Sequence, residues 1–253
     1  MPKINTPKKN TFAPKTYNTE KIDSMGNLAG QIAHDCNNYL TAIMGFMDLA
    51  DLRIDPEHPA KGCMGEIKHA CDKTAIFTSK LLAIGKNRAF SPKKTNINKI
   101  ISNTDKIVRE NIDVELRVQS NIHDIMADPM HVQELLKYLL NNAKEAIPRK
   151  GKIIIETKNV NIDKKMAQEY PELNCGPYVL LSISDNGIGM SQEVMSRAFE
   201  PFFTTKTAVK GIGLSLTATY RIVKQCNGLI LVESQPKLGT TFKIYFPKKA
   251  RKK

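Results

Sequence analysis

From Ile22 to Ala50 the residues Ile22, Met25, Ala29, Ile32, Cys36, Tyr39, Ile43, Phe46 and Ala50 recur at alternating steps of three and four. A polar break, DPEHP at Asp55–Pro59, interrupts the pattern, and Cys63, Ile67, Ala70, Thr74, Phe77, Leu81 and Ile84 resume it. Such spacing keeps one side of a helix apolar over many turns, so the chain must begin with two long helices joined by a short loop. An αα-hairpin with one apolar seam buries little surface alone, and pairing with a second copy into a four-helix bundle is the expected solution. The hairpin is expected over 18–88, following a basic, Pro- and Lys-rich tail over 1–17 that is too poor in apolar residues to order itself.

Beyond a charged linker over 89–95 the pattern changes to mixed α and β. Helices are expected from Ile97 to Arg109, from the Asp128–Pro129 cap to about Ile147, after Ser191, and from Leu214 to Cys226. Strands are expected at 114–118, 152–160, 178–184, 229–233 and 241–246. This makes 96–247 an α+β sandwich with helices on one face of a mixed sheet, followed by a basic tail over 248–253. No apolar run approaches the ~20 residues of a membrane span, and no apolar segment follows the N-terminal lysines, so no span and a cytosolic location are expected. Five scattered cysteines without a CxxC pair argue against a disulfide framework or a zinc site, and are expected to be reduced packing residues. The net charge of +13 lies partly in the two tails, and without aromatic residues between the cations it does not read as a nucleic-acid surface.

Several segments carry chemistry. HDCNN, residues 34–38, sits in the first helix, and at ~100° per residue His34 lies roughly 160° around from seam residue Ile32, facing outward. Asn38 is one turn further on. LLNNAKEAI places Asn142, a neutral oxygen donor suited to Mg²⁺, on the helix after Asp128. SDNGIGM, Ser184–Met190, ends a strand with an acceptor carboxylate at Asp185 and with two glycines, Gly187 and Gly189, that allow close backbone approach to a flat ring. FEPFFTTK spans Phe199–Lys206. GIGLSL then opens a helix whose first N–H groups can hold phosphate.

In this order and spacing the five segments resemble the H, N, G1, F and G2 boxes of sensor histidine kinases, and GTTFKIYFP resembles the family's closing strand. The likeness runs from about Asp23 to Pro247. It is strongest to the nitrogen-regulator and hybrid-kinase branch, whose H box also reads A-H-D-x-N-N. The resemblance implies a dimerising phosphoacceptor hairpin joined to a GHKL, or Bergerat, ATP-binding domain, with ATP and Mg²⁺ as ligands. It implies that His34 is the phosphoacceptor, Asp35 the general base beside it, and Asn38 the residue that positions water for removal of phosphate from a response-regulator receiver domain. It further implies that Asn142 holds Mg²⁺, Asp185 the adenine amine, and Gly187 and Gly189 the ring. Gly211 and Gly213 would line the phosphate loop, with Leu214 after them and Lys206 in the lid over 204–210. Tyr138 stands where the family has a second asparagine, Val209 and Ser215 replace glycines, and Ile212 replaces a threonine. The rival readings are an ATP-hydrolysing relative of the gyrase type and a phosphotransfer scaffold with a weakened nucleotide domain. Hydrolysis calls for a glutamate where Tyr138 stands, and a phenol is a poor base near neutral pH.

Overall fold

The computed structural model describes residues 10–14, 19–85, 90–102, 111–206 and 213–248. The expected tail over 248–253 lies outside this set except for Lys248, and so does the latter half of the expected helix after Ile97. The chain divides into two compact units. One comprises Asn18–Arg88 with Pro201–Leu214; the other comprises Met1–Tyr17, Ala89–Glu200 and Ser215–Lys253.

The first unit holds α1 (Thr19–Asp51) and α2 (Ala60–Gly85), packed side by side as a hairpin. The loop is fixed by polar contacts: the Asp55 carboxylate accepts from the Glu57 N–H at 3.0 Å, and Lys61 Nζ donates to both the carbonyl and the carboxylate of Asp51. The contact between the helices is not the row of large residues that the three-four spacing picks out. Ala29, Ala33 and Leu40 on α1 and Cys71 and Thr78 on α2 are buried, and Thr78 Oγ1 donates to Asn37 Oδ1 between the helices. Of the expected seam, Ala29 is inside, whereas Ile32, Tyr39, Ile43 and Phe46 on α1 and Ile67 and Phe77 on α2 are exposed. Small side chains let two helices approach closely. The large ones are displaced onto a second, unpaired apolar stripe.

The second unit is built on a six-stranded mixed sheet ordered β1-β7-β8-β6-β5-β3. Its strands are β1 (Asn10–Phe12), β3 (Ile112–Val118), β5 (Gly151–Ile162), β6 (Gly176–Asp185), β7 (Leu229–Ser234) and β8 (Thr240–Pro247). Only β3 and β5 run parallel; the other neighbours are antiparallel. A separate pair joins β2 (Lys93–Thr95) to β4 (Ile125–Ala127). The helices are α3 (Ile97–Ile101), α4 (Pro129–Ala146), α5 (Lys164–Glu169), α6 (Gln192–Arg197) and α7 (Ser215–Gln225).

Alternation along the strands sorts the core into two faces. Val179, Leu181 and Ile183 of β6 are cross-strand neighbours of Phe246, Ile244 and Phe242 of β8, and all six are buried. This face carries α4 and α7, which pack on each other. On α4 the buried residues Val132, Leu135, Leu136, Leu139, Leu140 and Ala143 form the broad apolar stripe such a helix needs. The opposite face carries a second cluster of Tyr178, Leu180, Leu229, Leu231 and Tyr245 with Ile162 and Leu173, on which Met166, Ala167, Tyr170 and Ala13 pack. Asp185 follows Val179, Leu181 and Ile183 in the same alternation, so the last residue of β6 falls on the helix-bearing face.

Two expectations are corrected. The tail over 1–17 is not wholly without structure, because Asn10–Phe12 pair with Ser234–Val232 at the sheet edge. The linker over 89–95 contains β2, whose Thr95 hydroxyl donates to the Ala127 carbonyl. In both places backbone pairing to an existing strand supplies order that a polar three-residue segment lacks by itself. The cysteines are free, but only Cys71 and Cys226 are buried as packing residues; Cys63 and Cys175 are exposed.

Candidate active site

The chemistry falls in two places. On α1 the His34 ring has 70% of its side-chain surface exposed and Asp35 has 59%, so a second molecule or domain can reach both. His34 Nδ1 lies 3.3 Å from Asp35 Oδ1 and 3.4 Å from Asn38 Nδ2. A single ring nitrogen cannot donate to the carboxylate and accept from the amide together. Donation to the anionic Asp35 is the stronger bond, and it puts the proton on Nδ1 and the lone pair on Nε2. The structure thus brings His34, Asp35 and Asn38 together around one nitrogen.

In the second unit the site is built where β6 ends. Asp185 is buried, and its Oδ1 accepts from the Gly187 N–H at 2.8 Å and from the Thr240 N–H at 3.3 Å. The glycines are required by the chain itself. A Cβ on Gly187 would lie 2.4 Å from the Ala146 carbonyl oxygen at the end of α4, and one on Gly189, where φ is +67°, would lie 2.0 Å from the Gln235 oxygen. Gly239, at φ +77°, presses equally closely on the Asp185 carbonyl. Ile188 N–H donates to Ala146 and Met190 N–H to the buried Ser234 hydroxyl. The turn is therefore clasped between α4 and the β7–β8 connection. Sequence reasoning missed Thr240, Ser234 and Gly239; the Gly-Thr-Thr stretch at the start of β8 was a signal for Gly239 and Thr240, and Ser234 at the end of β7 gave none.

Asn142 lies on α4 one turn before Ala146. Its side chain meets Ser215 Oγ, at the start of α7, across 3.4 Å. Tyr138, a further turn back, donates its hydroxyl to Glu134 Oε1 at 2.6 Å, and burial together with that bond pushes the phenol well above its ordinary pKa. α4 itself is set by Asp128, whose carboxylate accepts from the Met130 N–H at 2.9 Å and the Ser91 N–H at 3.2 Å. Burial alone would raise the Asp128 pKa, but these bonds and the nearby His131 outweigh it and hold the carboxyl below the usual range. Phe199 is fully buried against Tyr220, with its carbonyl accepting from Thr217 Oγ1. Of the loop that follows, Thr204 Oγ1 accepts from the Lys206 N–H, and Gly213, at φ +73°, has no room for a Cβ beside Phe203. Leu214 is buried. Gly211, with Val209 and Ile212 and most of the expected lid, lies outside the described residues.

A buried strand-end carboxylate beside a glycine turn, with a helix carrying a neutral oxygen donor next to it, defines a nucleotide-binding α/β domain. Residues 127–250 match the family described as Histidine kinase-, DNA gyrase B-, and HSP90-like ATPase. Sensor kinase CckA of Brucella abortus (strain 2308) is 30% identical over 249 residues, covering 97% of this chain and 26% of that protein. Sensor histidine kinase ZraS of Salmonella typhi is 30% identical, covering 92% and 48%. Sporulation kinase E of Bacillus subtilis (strain 168) is 27% identical, covering 90% and 29%. The chain thus spans between about a quarter and a half of these relatives. Among solved structures, full-length ShkA in complex with AMPPNP superposes with a TM-score of 0.60 at 17% identity, covering 93% of this chain and 47% of that one. Histidine kinase ThkA in complex with the response regulator TrrA gives 0.54 at 23%, covering 91% and 64%. Residues 127–250 thus match this ATPase family, and the chain is similar over nearly its whole length to part of proteins named sensor histidine kinases.

Proposed function

We propose that the protein is an ATP-dependent histidine kinase that phosphorylates its own His34 and passes the phosphoryl group to an aspartate of a response-regulator receiver domain. The observation that carries this reading is His34, open to solvent, with Asp35 on Nδ1, on a hairpin joined to an ATP-binding domain. Asp35 accepts the Nδ1 proton and so leaves Nε2 as the nucleophile. The Nε2 lone pair attacks the γ-phosphorus, the bond to the β–γ bridging oxygen breaks, ADP leaves, and the Nδ1 proton passes to Asp35. The later transfer to a receiver carboxylate restores neutral His34. Asn38, beside the same nitrogen, is placed to orient water for the reverse traffic, removal of phosphate from the receiver.

Asp185 suits the adenine amine because it is a buried acceptor, with the Gly187–Gly189 turn as the adjoining wall. Among the described residues no group of three or more His, Cys, Asp or Glu could hold a metal. A Mg²⁺ bound with ATP would be held by phosphate oxygens and by the neutral oxygen of Asn142, and would neutralise charge developing on the phosphates. The exposed apolar stripe of Ile32, Tyr39, Ile43 and Phe46 supports a homodimer through the hairpin. Among the described residues no helix is long and apolar enough to cross a membrane, and we place the reaction in the cytoplasm, where ATP and receiver domains meet.

The test is incubation with γ-labelled ATP and Mg²⁺. Acid-labile, alkali-stable label is expected on the wild type and not on His34→Gln; undiminished label on that variant would overturn the assignment. EDTA is expected to abolish labelling. One observation favours a second reading, a phosphotransfer scaffold with a weakened nucleotide domain: Asn142 is engaged by Ser215, where the family has glycine. An ATP titration separates the two, since the scaffold binds no nucleotide. Hydrolysis in the gyrase manner is disfavoured by the neutral phenol of Tyr138.

A further inference from the structure

The sheet of the ATP-binding unit takes its sixth strand from the segment just ahead of the phosphoacceptor helix. Asn10, Thr11 and Phe12 pair with Ser234, Glu233 and Val232, and Thr11 Oγ1 reaches Glu233 Oε1 at 3.5 Å. The docking extends past the ladder: Ala13 packs on the second core cluster, Pro14 is buried, and α6 packs against β1. These partners are not neutral scaffolding. Ser234 holds the Met190 N–H of the nucleotide turn, and α6 starts directly after that turn from its Ser191 cap. A three-residue strand thus rests on β7, which holds the Asp185–Ser191 segment through Ser234, and on α6, which leaves that segment.

Seven Cα steps separate Phe12 from Thr19, the first residue of α1, so the strand end and the helix start can be at most about 25 Å apart. The other covalent route, from Gly85 of α2 to Lys93 of β2, is eight steps, about 29 Å at full extension. The two helices of a hairpin run antiparallel, so both routes leave its loop-distal end. His34 lies fifteen residues into α1, about 22 Å along the axis from that start.

We propose, resting on the kinase reading above, that Asn10–Phe12 is a strap: docked on β7, it gives the nucleotide unit a second short tether to the phosphoacceptor hairpin and confines its excursions around His34. Two tethers of this length raise the effective concentration of bound ATP at the imidazole above what one linker provides. With three residue pairs in its ladder, the strap is the weakest strand of the sheet and the one a signal acting ahead of α1 can release.

Two variants of the full chain test this. Asn10→Pro, Thr11→Pro and Phe12→Pro together remove every backbone donor from the strand and undock it. Insertion of twelve Gly and Ser residues between Pro14 and Lys15 leaves β1 docked but adds about 40 Å of contour. Both are expected to lower the autophosphorylation rate at saturating ATP about three- to ten-fold, to leave the nucleotide Kd unchanged, and to increase the maximum dimension in small-angle scattering. Hydrogen-exchange protection across Val232–Ser234 is expected to be lost in the proline variant alone. An insertion variant with wild-type rate and dimension would overturn the strap and reduce β1 to an edge cover. The scattering comparison stands even if the wild type takes no label, which separates failure of the strap from failure of the kinase reading.

Discussion

The Asp185 carboxylate that holds the turn is also the one we propose for the adenine amine, so its replacement must be read on two axes. Asn at this position keeps an oxygen for the Gly187 and Thr240 N–H groups but loses the charge. Asp185→Asn is expected to weaken ATP binding by about 10- to 100-fold, the worth of a charge-assisted hydrogen bond of ~1.5–3 kcal/mol, with the thermal midpoint nearly kept; calorimetric titration and a melting curve give both readings. Gly189→Ala and Gly239→Ala force a Cβ into backbone at positive φ, and each is expected to cost at least ~1–3 kcal/mol in urea unfolding. Sequence alone marks Gly187 and Gly189 for closeness to a ring and passes over Gly239, and the packing on Ala146, Gln235 and Asp185 was invisible because the partners lie 41 to 54 residues apart in the chain. His34 and Asp185 were legible since their chemistry sits in contiguous motifs. At Asp128 the folded pKa is lowered, so its contribution is fully present above the unfolded value of ~4 and fades as pH falls toward the folded one. Asp128→Asn is expected to flatten that part of the acid-unfolding curve by lowering stability at pH 7 while costing little at pH below the folded pKa, a difference read by urea unfolding at the two pH values.

At the scale of elements, the hairpin carries the most direct test. With Tyr39 71% and Phe46 74% exposed on one stripe, Phe46→Glu is expected to convert the proposed dimer into a monomer in sedimentation equilibrium without loss of helicity. The three-four spacing located this stripe and both helix spans well. It could not locate the contact inside the hairpin, because Ala29, Ala33 and the Asn37–Thr78 pair carry too little hydrophobicity to stand out beside Ile and Phe. α4 was legible to its cap, since Asp128–Pro129 encodes both the acceptor and the missing donor of the first turn. β1, β2 and β4 have three residues each, too few for any period to register, and their order comes from partner strands rather than from their own composition.

For the whole molecule, the glycine turn beside Asp185 and the open imidazole of His34 lie in separate units of the chain. Of the helices, α4 and α7 lie on one face of the sheet as expected, whereas the short α5, whose Met166 and Ala167 pack on the other face, departs from that expectation. The α+β class itself followed from the run of strong strands and helices. The edge strand that changes the connectivity did not, because nothing in a polar N-terminal segment announces a distant backbone partner. That edge has a further consequence for the behaviour of the protein in solution. β7 is buried along nearly its whole length, and uncovering its edge exposes unpaired N–H and C=O groups next to apolar side chains, a template for other chains. Any state in which Asn10–Phe12 let go is therefore prone to associate edge to edge. Its lifetime is set by protein concentration, so crowded preparations are expected to aggregate under the conditions that free the strand.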